Sequence, residues 1–387
     1  MSTPRNVVEL LQALIAIPSV NPEGGGDPGT TKVGEGECAR YVAEFLKECG
    51  AQVTLDEVEA GRPNVIGSFS SNKTEGLSKP RLLFAPHTDT VSVAGMTIDP
   101  FGGEVRDGKI WGRGASDTKG TMAAMLWAFR ELGEKIADLN VELGFVGLMG
   151  EETGQPGSRH FAKNHGEEWD FAIVGEPTEL DAVCQHKGCT WLQLKTRGQA
   201  AHGATPERGE NAITKMLEVL QKIDTEFRAV LQDEDYRNPI LGSPTVNIGT
   251  IQGGSKTNIV PDHCEVTLDF RETPELMERG GVAELMERYL DDKALLLQVA
   301  IHPILECAAL NTAVDNPFVK QICELGSKPI GAPWFCDAAW LAVGGIPAIA
   351  LGPGSIAQAH TEDEWLDVMA LEKGAAFYQE IMESAGA

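Results

Sequence analysis

Over the first 186 residues, short apolar runs alternate with longer stretches whose apolar positions recur every three or four residues. The runs RLLFA (81–85), ELGFVGLM (142–149) and FAIV (171–174) have the length and composition of buried strands. The segments VVELLQALIAI, ECARYVAEFLKECG closing at Gly50, and TMAAMLWAFRELGEK after Gly120 carry helical spacing. Such alternation predicts an α/β fold, a mainly parallel sheet covered by helices.

From about 188 to 307 the rhythm changes. A strand (WLQLKTRG) is followed by a helix (NAITKMLEVLQKIDTEF), two strands (TVNIGTIQGG, CEVTLDFRE), a helix (GGVAELMERYLDD) and a strand (ALLLQVAIH). This β-α-β-β-α-β order is that of a ferredoxin-like unit. The first pattern then resumes with NPFVKQICELG, WLAVGG, IPAIALGPG and a final helix, LEKGAAFYQEIMESAG. The chain therefore divides into one domain made of 1–186 and 308–387, and a second, 187–307, inserted in it. Three polar stretches, 21–36, 70–80 and 232–244, are long enough to suggest mobile loops.

Composition narrows the class. A chain of 387 residues, 42% hydrophobic, can bury two cores. The formal charge of −25 argues against nucleic acid and anionic membranes as partners, because both demand basic patches. The amino terminus has an amphipathic helical pattern instead of the basic start, apolar stretch and cleavage site of a secretory signal, and no apolar run approaches a membrane span. A cytoplasmic location is expected. The eight cysteines are scattered without a C-x-x-C pair, so reduced thiols are expected.

The chemistry gathers where apolar runs end. RLLFA leads into His87 and Asp89, ELGFVGLM into Glu151 and Glu152, and FAIV into Glu176; AIALG (348–352) leads toward His360, while Asp117 sits in the glycine-framed turn GRGASDTKG. In open α/β sheets the carboxyl ends of the strands are where ligands collect. Each residue alone has an ordinary alternative. His87 could be a hydrogen-bonded core histidine, Asp117 a turn residue, the Glu pair an acidic helix start, Glu176 a loop acid and His360 a surface residue. Together, five ligand-type residues at separate strand ends are hard to explain as solvated surface, and they point to a metal site.

Two histidines and three carboxylates suit zinc, with cobalt or manganese as alternatives, and need no thiolate. The set is too large for one tetrahedral ion but matches two ions bridged by a carboxylate, for which Asp117 is best placed. Two ions roughly 3.5–4 Å apart can share a water, lower its pKa from about 15.7 to about 7 and polarise a carbonyl. One member of the Glu pair is then free to act as general base.

The series PHTDTV, GRGASDTKG, EETG, VGEPT, AHG, GGSKTNIVP followed by DFR, and GPGSIAQAHTEDE covers nearly the whole chain. It resembles the dinuclear zinc family of acetylornithine deacetylases, succinyl-diaminopimelate desuccinylases, aminoacylases and glutamate-releasing carboxypeptidases. The resemblance implies His87 and Glu176 on one ion, Glu152 and His360 on the other, and Asp117 bridging. Glu151 becomes the general base and Asp89 the carboxylate behind His87. It also implies a homodimer formed through the inserted domain, with His202 crossing to the partner's site to donate to the oxyanion. Asn258 and Arg271 match positions that bind the substrate's oxyanion or carboxylate. The loop Gly352 to Ser355, Gly354 and Ser355 included, would offer backbone N–H groups to that carboxylate.

On this basis the expected activity is hydrolysis of an N-acyl amino acid, N-acetylornithine to ornithine and acetate, by a hydroxide shared between the ions with Glu151 as base. Desuccinylases usually carry an arginine where this chain has Cys336-Asp337-Ala338-Ala339, which argues against a succinyl group. Asp337 could meet the δ-ammonium of ornithine. The segment KTNIVPDHCEVTLDFR is nearer the carboxypeptidase and desuccinylase pattern. A desuccinylase, a metallo-dipeptidase or carboxypeptidase, and a non-catalytic metal-binding interaction module remain the alternatives.

Overall fold

The computed structural model describes residues 3–22, 33–70 and 79–385. Most of the stretches 21–36 and 70–80 lies outside these residues. The third, 232–244, is held by a hydrogen-bonded turn: Asn238 Oδ1 accepts from the N–H groups of Ile240 and Leu241, and Asn238 and Gly242 exchange backbone bonds.

Two compact units are present, one of Met1–Cys184, Thr312–Ile330 and Cys336–Ala387, the other of Gln185–Asn311 and Gly331–Phe335. The sequence division left Gly331–Phe335 with the flanking segments, whereas these residues group with the second unit; one reason is local, since Lys187 N–H donates to Ala332 O at 3.2 Å.

The first unit is built on a mixed sheet. At its centre, Glu142–Gly147, Arg81–Pro86, Phe171–Gly175 and Ala348–Ala350 run parallel in that order. The parallel arrangement is confined to this centre. On one side lies the antiparallel pair Gln52–Glu59 and Arg62–Phe69, on the other the antiparallel Ala182–His186. The central strands are apolar on both faces and buried, as parallel strands covered by helices must be.

Helix Lys119–Leu132 packs against helices Val7–Ile15 and Val368–Ser384 and against strand Arg81–Pro86. Its Phe129 stacks on Phe69 at 4.6 Å between ring centres and meets the edge of Phe84 at 5.5 Å. Cutting such a buried ring back to alanine costs about 3–5 kcal/mol. The same helix begins with a lysine, an unusual start for a buried segment. Lys119 is fully buried and donates its ammonium to the carbonyls of Leu14 and Ile17 at 3.0 and 2.6 Å, satisfying the charge by hydrogen bonds.

A small antiparallel sheet, Trp365–Asp367 with Lys109–Trp111 and Glu104–Arg106, pairs the end of the chain with the segment that precedes Gly112.

The second unit has the ferredoxin-like order. Strands Thr245–Gly253, His263–Glu272, Gly188–Arg197 and Val299–Cys307 lie side by side in that spatial order, all antiparallel. Strand His263–Glu272 alternates strictly between buried and half-buried positions. Its inner residues Val266, Leu268 and Phe270 pack with Met216 and Val219 of helix Ala212–Lys222 and with Met286 and Leu290 of helix Gly281–Asp292. The last strand begins at Val299, later than its apolar run suggested, because Leu296–Gln298 form a 3-10 turn that leaves Leu297 99% exposed.

Candidate metal centre

The carboxyl ends of the four central parallel strands meet on one rim, and the predicted residues follow them directly. His87 comes one residue after Pro86, Glu151 and Glu152 follow Glu142–Gly147, Glu176 follows Gly175, and the chain from Ala350 runs on to His360.

Two donor groups form there. Atoms of His87, Asp117 and Glu176 lie within 4.8 Å of one another, as do atoms of Asp117, Glu152 and His360. Asp117 belongs to both. His87 Nε2 is 3.0 Å from Asp117 Oδ1, and His360 Nε2 lies 3.0 Å from Glu152 Oε2 and 3.6 Å from Asp117 Oδ2.

Asp89 does more than stand behind His87. His87 Nδ1 is 3.0 Å from the Asp89 backbone carbonyl and 3.3 Å from its carboxylate. Without a cation, the imidazolium donates from Nδ1 to that carbonyl and from Nε2 to Asp117; with Nδ1–H kept there, loss of the Nε2 proton would free that nitrogen for a metal ion. The Asp89 carboxylate itself accepts the N–H groups of Glu151 and Glu152, each at 3.1 Å, and the Asn21 amide at 2.8 Å. One side chain thus fixes a histidine and the turn that carries the acidic pair.

The glycines of GRGASDTKG have a physical reason. Gly114 has φ +82°, and a Cβ there would sit 3.0 Å from Lys119 Cδ and Thr90 Cγ2; a Cβ on Gly120 would lie 2.2 Å from the Ala115 carbonyl.

Electrostatically the rim is overloaded with negative charge. Burial, followed by the neighbouring Glu176, pushes the Glu151 carboxyl well above its usual range. Burial and Asp117 do the same to Glu176, and raise Glu152 to about 7. Burial opposes charge on His87, yet Asp117 and Asp89 outweigh it and hold the imidazolium well above its ordinary pKa. The hydrogen bond to Glu152 raises His360. Carboxylates crowded in this way demand cations. Glu152 Oε1 is buried with no hydrogen-bond partner. A set of imidazoles and carboxylates with an oxygen left unsatisfied is suited to divalent metal ions.

Several contacts around the site carry no signal in the sequence. Gln155, fully buried at φ +58°, donates its amide to Glu151 Oε1 at 3.0 Å. Glu364 and Arg113 pair at 2.8 Å beneath the Asp117 turn. Asp337 departs from expectation: it is fully buried, accepts the Ser158 hydroxyl at 2.5 Å, and burial raises its carboxyl to about 7. Only its Oδ1 is engaged there, and Oδ2 is buried without a hydrogen-bond partner.

In the loop after Ala350, the Gly352 N–H is already engaged by the Thr178 hydroxyl at 3.1 Å and Pro353 has none, so the remaining N–H groups are those of Gly354 and Ser355.

In the second unit, His202 is exposed, and its Nδ1 accepts the Ala204 N–H at 3.1 Å, which leaves the proton on Nε2. Asn258 lies on the neighbouring turn, its carbonyl accepting from Gly203 N–H at 2.8 Å. Arg271 is half-buried, paired with Asp269 at 3.1 Å and lying over the Phe335 ring at 5.5 Å. The eight cysteines form no disulfide. Among the described residues, no helix is long and apolar enough to cross a membrane.

Fold and site together define a metal-dependent hydrolase with a candidate two-metal centre on an α/β sheet. The chain belongs to peptidase family M20/M25/M40, whose model matches residues 83–384. It is 32% identical over 379 residues to the acetylornithine deacetylase of Photorhabdus laumondii, covering 93% of this chain and 92% of that one. Among solved structures, a tripeptidase from Staphylococcus aureus superposes with a TM-score of 0.77 at 22% identity, covering 98% of each chain. A dinuclear metal binding peptidase of the M20 family from Bacillus subtilis does so with a TM-score of 0.70 at 16% identity, over 97% of this chain and 96% of that one.

Proposed function

We propose that this protein hydrolyses the amide bond of N-acyl amino acids, with N-acetylornithine, cleaved to ornithine and acetate, as its principal substrate. The observation that carries the proposal is the pair of donor groups sharing Asp117. The 32–33% identity to acetylornithine deacetylases over more than nine-tenths of the chain supports the choice of substrate. In this reading His87 and Glu176 hold one divalent ion, Glu152 and His360 the other, and Asp117 both; zinc suits the donor set. Bound there, such ions supply Lewis acidity toward the amide carbonyl and a more acidic water.

The chain's own residues do the rest. Glu151, buried beside Glu176 and held by Gln155, takes the proton of the attacking water and returns it to the nitrogen of the departing amine. The carbon–oxygen bond forms first and leaves an oxyanion, and the carbon–nitrogen bond breaks as that oxyanion collapses and the nitrogen takes the proton from Glu151, so one water is consumed per amide. His202 presents its Nε2–H as a donor suited to an oxyanion, in a homodimer through the inserted unit with the partner's site as its target. Asn258 and Arg271, with the N–H groups of Gly354 and Ser355, are assigned to the substrate's carboxylate. The half-exposed apolar residues Trp191, Ile251 and Ile304 on the strands of the second unit suit such a dimer. A cytoplasmic location accords with the eight cysteines and the absence of a disulfide.

The test is amine release by the zinc-loaded protein from N-acetylornithine, N-succinyl-diaminopimelate, other N-acyl amino acids and simple dipeptides. Preference for N-acetylornithine is the expected result. Preference for unblocked dipeptides would replace the deacetylase by a dipeptidase on the same centre, and silence across the panel with two ions bound would overturn the activity.

A further inference from the structure

Glu364 lies four residues after His360 and is fully buried. Its Oε1 accepts the N–H groups of Ser116 at 2.7 Å and of Asp117 at 2.8 Å. Its Oε2 accepts the Gly114 N–H at 2.9 Å and Arg113 Nη1 at 2.8 Å. The backbone joins in, since Gly112 N–H donates to the Glu364 carbonyl at 3.0 Å. Arg113 continues the connection by donating to the Thr361 carbonyl at 3.2 Å and to Ser92 O at 3.1 Å. Immediately beyond, Trp365 pairs with Trp111 in the small sheet.

Every donor that converges on this carboxylate belongs to the turn 113–117, and the carboxylate itself belongs to the segment that carries His360. A carboxylate is the side chain for the task, because it can accept on both oxygens and brings no hydrogen of its own; an amide would turn an NH2 toward two N–H groups. His360 needs such support. It sits at φ +59°, a conformation rare for a residue with a side chain, and its imidazole is 57% exposed. His87 has no comparable need, being enclosed at the end of its strand.

We propose that Glu364 is a positioning residue that fixes Asp117 relative to His360, and thereby sets the affinity of the ion held by Asp117, Glu152 and His360 in preference to the ion held by His87, Asp117 and Glu176. The proposal rests on the ligand assignment given above.

It is tested by calorimetric titration of the metal-stripped protein with Zn²⁺, together with its melting temperature, for the wild type, Glu364→Gln, Glu364→Asp, His87→Ala and His360→Ala. The histidine variants assign the two binding steps. Glu364→Gln is expected to weaken the step lost in His360→Ala by about 10–100-fold, leaving the step lost in His87→Ala unchanged. Glu364→Asp, which keeps the charge and withdraws it by one methylene, shows the same selective loss to a smaller extent and stands in if the glutamine variant does not fold. Wild-type binding at both steps in Glu364→Gln overturns the proposal. So does an equal loss at both steps with a lowered melting temperature, the mark of a merely structural role. If neither histidine variant affects metal binding, the ligand assignment falls, and the metal role of Glu364 with it.

Discussion

The two donor groups share Asp117 but are built differently. His87 and Glu176 follow adjacent parallel strands whose register is fixed by the sheet, and both are nearly inaccessible. Glu152 and His360 come from a turn and from a long return segment, and His360 stands more than half exposed. The buried group rests on strand ends, with Asp89 orienting His87; the other depends more on ties between loops, Asp89 to the Glu152 N–H and Glu364 between the Asp117 turn and the His360 segment. Rigid strand ends and tied loops should hold a cation with unequal strength, and that inequality can be measured.

Metal removal has the largest expected effect. Dialysis against a chelator is expected to abolish turnover, with the ion of the exposed group leaving first; metal content and activity followed together would show activity falling before the second ion departs. Simultaneous loss of both ions would erase the distinction between the groups. Next in size is Glu151→Gln, which should retain both ions while kcat falls by about 10²–10⁴-fold. Full turnover in that variant would remove Glu151 from its role.

A third expectation concerns stability of the metal-free protein. Glu151, Glu176 and Glu152 all have folded pKa values raised by burial, the last to about 7, and His87 is raised as well. Groups that bind protons more tightly when folded lose stabilisation as pH rises. The carboxyl contribution fades from about pH 4.3, the unfolded glutamate value, up through the folded values, and that of His87 fades above about 6.5. The stripped protein should therefore melt at a lower temperature at pH 8 than at pH 6, and Zn²⁺ should remove most of that difference. A melting temperature that is flat with pH in the stripped protein would show that the buried carboxylates are not under strain.

The same contrast explains what the sequence made legible. His87, Asp89, Glu151, Glu152 and Glu176 stand directly after apolar runs, and a run long enough to be a strand announces that its end will lie on the rim. The ferredoxin-like unit was equally open to reading, because period-two burial in His263–Glu272 and period-3.6 burial in Gly281–Asp292 leave their mark on residue types. Gln155 and Glu364 left no such mark. Glu364 meets partners about 250 positions away, and a polar residue at the end of so long a loop closure looks in sequence like any solvated acid. Asp337 shows the same limit from another side: its acidic character suggests contact with substrate, but nothing in the sequence announces that packing buries it beside Ser158.

The smallest effect sharpens the buried side of the comparison. Gln155 lies four residues after Glu151, and its amide is the one side-chain donor to that carboxylate among the described residues. Its φ of +58° is a conformation that asparagine also tolerates, whereas alanine would add backbone strain to the loss of the amide. Gln155→Asn therefore changes the reach of the side chain while sparing the backbone. A hydrogen bond to a charged group contributes about 1.5–3 kcal/mol, and a water admitted in its place would recover part of it. The expected result is a fall in kcat of about tenfold, with KM and the metal content unchanged, because the bond orients the base and touches neither substrate nor ligands. Gln155→Glu should do worse, since it places a second carboxylate against Glu151 in a site already crowded with them. If Gln155→Asn instead raised KM at constant kcat, the amide would belong to substrate binding, and the orientation of Glu151 would have to come from the packing of its strand end alone.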